Sequence, residues 1–410
     1  MKKFKKKIYL GLVVGVSTFG FMAHTKQVTA DTNQKERIMS QLDDSQIEYV
    51  PNELIVSLKA TQRISTEKNK PQNLLGVKVM VEKDLTLRTN ESDYNKRDQV
   101  LLVKLNEEIS VEEAVRTFNA SDMVNYAEPN YVVELEPLND VEEPNTTDSL
   151  GNRYDPNWSK QANLREISMP SAWEETKGSK DVKVAVIDSG IDYQHEDLSG
   201  NVDESLGYDF FDDDTDPMDT MGHGTHIAGI IGAQTNNELG VAGINWDVTM
   251  VPIRVFGSSG GTSLSILTEA INYASQKGFP IINFSIGSVV YSSTEEEAIK
   301  NYPGLFVAAA GNNGIDMTDK PFYPASLDIP NIITVGNSSG YERSSDSNYS
   351  KTGVDLFARG FRVFSTFLGS KYTYMSGTSM ATPHVTGSAA LALSLDPDLS
   401  TDELKKNHFK

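Results

Sequence analysis

The run Val182-Lys-Val-Ala-Val-Ile187 has no polar residue after Lys183 and is rich in β-branched side chains, the mark of a strand covered on both faces rather than one. Ile281-Ile-Asn-Phe284 and Leu305-Phe-Val-Ala-Ala-Ala310 have the length and apolar content of further buried strands. Such segments alternate with helical patterns from about residue 153 onward, which predicts an α/β domain with a doubly wound, mostly parallel sheet. In sheets of that kind ligands bind outside the C-terminal strand ends. Asp188 closes the first run, Ser285 follows the second, and Asn312 stands just beyond the third.

Two further segments supply what Asp188 lacks. His223 opens Gly222-His-Gly-Thr-His-Ile-Ala-Gly-Ile-Ile231, whose small and apolar residues at helical spacing predict a helix starting beneath the imidazole. His226, three residues on, reads as a packed helix histidine. Ser379 precedes Met380-Ala-Thr-Pro-His-Val-Thr-Gly-Ser-Ala-Ala-Leu-Ala-Leu393, a helical stretch whose Pro383 is tolerated near its first turn. A serine hydroxyl needs an imidazole to take its proton as it attacks a carbonyl, and the imidazole needs a carboxylate to fix its tautomer. At a helix N-terminus, the dipole and free N–H groups favour the developing oxyanion. A neutral donor aimed at the same spot completes the set, and Asn312 in its small-residue turn fits.

The order Asp188, His223, Ser379 separates this arrangement from those running His, Asp, Ser or Ser, acid, His. At these residues the chain resembles the subtilisin family of serine proteases. The resemblance implies that Asp188, His223 and Ser379 are catalytic and that Asn312 is the oxyanion-hole asparagine. It also implies that a peptide substrate pairs in extended form with Ser285, Ile286 and Gly287 on one side and Ser259, Gly260 and Gly261 on the other. Ala310 and Gly311 would bind substrate within a pocket wall running from Ala309 to Asn313, with Phe322 near its base. No acidic residue marks that pocket for Arg or Lys, and Lys320 nearby suggests Glu or Gln before the cut.

The run Asp209-Phe-Phe-Asp-Asp-Asp-Thr-Asp-Pro-Met-Asp219 carries six carboxylates in eleven residues. It resembles the calcium loop of thermitase-like members, with Asp209, Asp212, Asp214 and the Asp216 carbonyl as the implied ligands, since hard cations take several oxygens. Met218 stands where a further ligand is expected. The other reading is a solvated acidic loop.

The remaining segments give the context. Lys2, Lys3 and Lys5 to Lys7, the apolar stretch Ile8 to Ala23 and the small-residue site Val28-Thr-Ala30 read as a secretion signal over residues 1–30, cut at Ala30-Asp31. The chain has no cysteine, so neither disulfides nor a lipid-bearing cysteine are available. A net charge of −20 argues against nucleic acid or an anionic membrane as partner, and a freely secreted protein with no stable membrane anchor is expected. Residues 31–138 read as a small α+β unit with an Ala-Glu-Pro-Asn-Tyr ending that resembles family propeptides, followed by a linker over 139–152 and a peptidase domain over 153–410. Its cleavage falls either in that linker or in the polar loop Leu87 to Arg97, with Glu91-Ser92 as the favoured bond. The chain further resembles the secreted peptidases that remove leader peptides from lantibiotics of the cytolysin kind. A precursor leader peptide is then the substrate, the protein's own propeptide is a partner, and no organic cofactor is implied. A broad degradative protease and a non-catalytic binding protein on the same fold are the alternatives.

Overall fold

A computed structural model describes residues 34–135, apart from 69, 89, 90 and 107, and residues 154–407. The expected secretion signal, its Ala30-Asp31 bond and the 139–152 linker lie outside them.

The N-terminal domain contains α1 (Gln34–Gln41), β1 (Tyr49–Leu58), β2 (Pro71–Leu74), β3 (Val77–Asp84), α2 (Glu91–Tyr94), β4 (Gln99–Leu105), α3 (Val111–Asn119) and β5 (Val124–Glu134). Its strands pair antiparallel in the order β2-β3-β4-β1-β5. Ser110 caps α3, its Oγ accepting the Glu113 N–H at 3.2 Å. Val111, Ala114, Val115 and Phe118 recur at helical spacing and pack on the Leu54, Val56, Leu101 and Val103 face of the sheet.

The C-terminal domain begins with α4 (Ala162–Glu166), α5 (Met169–Glu175), β6 (Gly178–Asp188), β7 (Tyr208–Asp209), α6 (His223–Gly232), β8 (Asp247–Arg254) and β9 (Gly261–Ser263). There follow α7 (Leu264–Lys277), β10 (Ile281–Phe284), α8 (Ser293–Asn301), β11 (Leu305–Ala309), β12 (Ile332–Ser339), β13 (Glu342–Arg343) and β14 (Leu356–Arg359). The hairpin β15 (Val363–Phe367) and β16 (Lys371–Met375), then α9 (Thr378–Leu395) and α10 (Thr401–Asn407), complete it. The main sheet runs β13-β12-β11-β10-β6-β8-β7, with β14 beside β12, and every pair is parallel except β12 with β13.

Helices on both faces explain the uninterrupted apolar strands. On β6, Val184 and Val186 enter the core under α6 and α9, while Ala185 and Ile187 enter the one under α7 and α8. The central helix α9 spans this sheet, and Pro383 lies in its second turn rather than its first. The two domains share a sheet edge: β5 pairs antiparallel with β9, Val132 opposite Ser263, Val133 opposite Thr262 and Glu134 opposite Gly261.

Candidate active site

Asp188, the last residue of β6, and His223, the first of α6, meet because α6 presses on the strand end. A Cβ on Gly224 would stand 2.1 Å from the Gly190 carbonyl oxygen and 3.2 Å from the Asp188 Cβ, so only glycine permits the approach. His223 Nδ1 then lies 2.7 Å from Asp188 Oδ1, with both side chains buried. The Ser189 N–H donates to the same Asp188 oxygen at 2.7 Å, and Ser189 Oγ takes the Gly224 N–H at 2.9 Å.

The turn that delivers His223 is organised by Asp219. Its Oδ1 accepts the Met221 and Gly222 N–H groups at 2.8 and 2.9 Å, and its Oδ2 accepts the Thr225 N–H and hydroxyl at 2.9 and 2.6 Å. Burial pushes the Asp219 carboxyl up, opposed by these four donors. His226 behaves as expected of a packed residue: its Nε2 faces the Val363 and Thr373 carbonyls at 3.1 and 3.3 Å, and burial lowers its pKa to about 3.

Ser379 occupies the first turn of α9, where backbone N–H groups have no acceptor within the helix. Pro383 has no N–H to give the Ser379 carbonyl, and Ser285 Oγ supplies that bond from the end of β10 at 3.1 Å. Ser379 Oγ returns a bond to the Ser285 carbonyl at 3.2 Å. Behind them, Thr386 donates to Asn283 Oδ1 at 2.8 Å and Asn283 Nδ2 donates to Ser285 Oγ at 3.0 Å. This polar thread crosses the apolar interior from α9 to the strand end. Asn312 is fixed by the Thr378 N–H, which donates to its Oδ1 at 2.7 Å and leaves the amide nitrogen as the end turned from that bond. Asn312 Nδ2 would be 3.3 Å from a Cβ on Gly377, the residue just before α9.

A pocket bounded by Ser285, Ile286, Gly287, Ala309, Gly311, Phe322, Thr378 and Ser379 adjoins these groups, and Glu134 and Leu135 of the N-terminal domain reach its mouth. Leu135 donates its N–H to the Gly260 carbonyl at 2.8 Å, continuing the β5-β9 ladder toward Ser379. Gly260 and Gly261 thus carry the paired edge, whereas Ser259 is exposed in the preceding turn and pairs with nothing in that ladder. Ala310 lies behind the pocket, its carbonyl taken by Asn348 Nδ2 at 2.8 Å, while Ala309 and Gly311 on either side line the wall. Lys320 is exposed and outside the lining, so the expected source of an acidic preference is absent from it.

The acidic loop is arranged around an arginine. The Arg254 guanidinium pairs with Asp209 and, at 2.6 Å, with Asp212. Asp214 Oδ1 accepts the Asp216 N–H at 2.8 Å, and Asp216 Oδ1 accepts the Tyr193 hydroxyl at 2.8 Å. Among the described residues no group of three or more acidic or histidine side chains is disposed to hold a metal ion. Arg254 thus meets part of the loop's negative charge, through Asp209 and Asp212. The sequence run concealed both Arg254 and the turn-capping role of Asp219.

The N-terminal domain reaches further along this surface. Glu128 on β5 is fully buried and accepts from Ser292 Oγ at 2.9 Å and from the Ser293 and Thr294 N–H groups at 3.0 and 2.9 Å, capping α8 across the domain boundary. Gln41 exchanges two bonds with the Tyr291 backbone, and Lys83 pairs with Glu269 at 2.8 Å. The loop holding the Glu91-Ser92 bond includes the short α2 and is flanked by two ties to the C-terminal domain, Asn272 Nδ2 to the Leu85 carbonyl at 2.8 Å and Arg97 to Asn301 at 3.3 Å.

Comparison with known proteins follows the same division. Residues 179–408 match the model of the Subtilase family, and residues 38–130 match that of the Fervidolysin N-terminal prodomain. The chain is 39% identical over 398 residues to the thermophilic serine proteinase of Bacillus sp. (strain AK1), covering 96% of this chain and 90% of that one. It is 38% identical over 295 residues to the halolysin-like extracellular serine protease Nep of Natrialba magadii, covering 69% of this chain and 50% of that one. Among solved structures, a protease from Pseudoalteromonas arctica superposes with a TM-score of 0.56 at 31% identity, covering 61% of this chain and 89% of that one.

Proposed function

Since the chain belongs to the subtilase family of serine proteases, we propose that Asp188, His223 and Ser379 form the catalytic triad of a secreted endopeptidase held inactive by its own N-terminal domain. The observation that carries this reading is the extended segment Val132–Leu135, which pairs with Gly260–Ser263 and leads into the pocket lined by Ser379. An inhibitor that lies as a strand along the cleft marks the path of a substrate strand.

On that path, the Ser379 hydroxyl turns from the Ser285 carbonyl to His223, and Oγ attacks the scissile carbonyl carbon while His223 Nε2 takes its proton; Asp188 holds Nδ1 and stabilises the imidazolium. The tetrahedral oxyanion lies between the Asn312 amide nitrogen and the Ser379 N–H. His223 then returns the proton to the leaving amine nitrogen, and the C–N bond breaks to give an acyl-enzyme. Water, deprotonated by His223, attacks the ester carbonyl, and collapse of the second tetrahedral adduct frees the carboxylate and restores the Ser379 hydroxyl. None of these steps uses a metal or an organic cofactor.

The substrate we propose is a lantibiotic precursor from which the leader peptide is removed, a reading supported by the chain's resemblance to the leader-processing peptidases. A general degradative role fits the family relatives equally well. Wild type and Ser379→Ala, compared for removal of the N-terminal domain and for cleavage of casein and of a lantibiotic precursor, test both levels. Loss of all cleavage in Ser379→Ala supports the triad. Casein hydrolysis as fast as leader removal replaces the processing role with the degradative one.

A further inference from the structure

Beside the pocket lined by Ser379 lies a second one, into which the N-terminal domain inserts Tyr131 and Val133. Its C-terminal-domain walls are apolar at Leu264, Leu267 and Ile286, with Tyr323 closing one side, and the only charged residue among them is Glu295. The sequence Ser292-Ser-Thr-Glu295 reads as a capping box, in which the serine hydroxyl takes the glutamate N–H and the glutamate carboxylate returns to the serine N–H. Only the first half forms here: Ser292 Oγ accepts the Glu295 N–H at 3.0 Å. Glu128 of the N-terminal domain takes the next donors along the helix start.

The Glu295 carboxylate is therefore left over. It is 6% exposed and accepts no hydrogen bond and forms no ion pair among the described residues. Its neighbours in the helix are engaged, Glu296 by Tyr291 at 2.5 Å and by Lys300, and Glu297 by Tyr126 at 2.9 Å. A buried, unpartnered carboxylate costs stability in a closed protein, and one at the base of a binding pocket is a group awaiting its partner. With the N-terminal domain in place, burial and the nearby Glu128 push its pKa up to about 8. Removal of that domain opens the pocket to water and takes Glu128 away.

We infer that Glu295 is a specificity-determining residue, which makes the subsite now filled by Val133 select a substrate side chain carrying a positive charge on an apolar stem, as lysine does. The methylenes replace Val133 against Leu264, Leu267 and Ile286, and the ammonium meets the carboxylate that valine cannot reach. This rests on the endopeptidase reading given above, with β5 marking the substrate path.

The test uses the mature enzyme obtained by processing of the full chain. Fluorogenic peptides differ only at the position two residues before the one whose N–H meets the Gly260 carbonyl, carrying lysine, norleucine or glutamate. Between pH 8 and 9 the wild type is expected to cleave the lysine peptide about tenfold more efficiently than the norleucine peptide in kcat/KM, with the glutamate peptide poorest. In Glu295→Gln the lysine-to-norleucine ratio falls toward one. A ratio of one or less in the wild type, or a ratio that survives Glu295→Gln, overturns the assignment and returns Glu295 to a helix-capping role. Failure of the wild type to cleave any of the three overturns the endopeptidase reading instead. Should Glu295→Gln not fold, Val133→Lys in the full chain reads the same contact: about tenfold slower release of the N-terminal domain is expected, and unchanged or faster release counts against it.

Discussion

Asp219 and Glu295 are both buried carboxylates close to the substrate path, and they are treated in opposite ways. Four donors from its own turn meet Asp219, whereas Glu295 meets none among the described residues. The centre around Asp188, His223, Ser379 and Asn312 follows the first pattern, because the C-terminal domain supplies its orienting partners. The substrate-binding strip follows the second, since its backbone and helix-end partners come from the N-terminal domain through Leu135, Glu128 and Gln41. A centre complete in itself survives removal of that domain, while the strip is left with donors and acceptors for a substrate to satisfy.

Taking a donor away from the centre separates the two patterns most strongly. Asn312→Ala removes a donor from a preorganised centre and should lower kcat by about 10² to 10³ with little change in KM; a loss confined to KM would place Asn312 in the strip instead. Glu128→Ala acts on the other side of the divide. It leaves Ser292 Oγ and two N–H groups without their acceptor and should weaken inhibition by the N-terminal domain by about 10- to 100-fold, measured as the inhibition constant of the released domain. Unchanged inhibition would mean that the β5-β9 ladder and the remaining ties, such as Gln41 to Tyr291 and Lys83 to Glu269, hold the domains together without this cap.

A smaller effect follows from Glu295. Its pKa is raised from 4.5 to about 8 with the N-terminal domain in place, so the closed state binds a proton that the open state releases. Closure is thus favoured below the ordinary carboxylate range and loses this contribution as pH rises through about 8. Release of the N-terminal domain should accelerate several-fold between pH 6 and 9 in wild type and less in Glu295→Gln, and equal slopes would remove Glu295 as the cause. The smallest effect concerns the acidic loop. With Arg254 holding Asp209 and Asp212, a chelator should leave the unfolding midpoint unchanged, and a lowered midpoint would restore calcium as the loop's partner.

Much of the centre was legible because its signals are local. A buried strand announces itself by losing alternation, as Val184 to Ile187 do, and the residue after it then stands at the sheet's C-terminal edge. His223, Ser379 and Asn312 carried similar local contexts. What could not be read depends on tertiary register. Asp219 looked like one more carboxylate in an acidic run, and nothing in the order of residues says that Arg254, far along the chain, faces that run. Ser259 was expected in contact with substrate, yet the ladder begins at Gly260, a difference of one residue that only strand pairing decides, and within the expected wall Ala309 and Gly311 face the pocket while Ala310 between them does not. Asn283 did leave a trace, as a lone amide inside Ile281-Ile-Asn-Phe284, where a buried strand has no reason for one unless something across the core needs it.

Pro383 has a mechanical effect. By withholding one N–H it leaves the nucleophile's own carbonyl to Ser285, so α9 and the cleft edge are fastened by two hydrogen bonds in opposite directions. A sliding motion of the helix along the sheet would have to break both together. Substrate seated against Ile286 and Gly287 is thereby geared to the attacking oxygen: a peptide that displaces this edge displaces Ser379 with it, and misfit is felt at the reacting atom rather than absorbed in between.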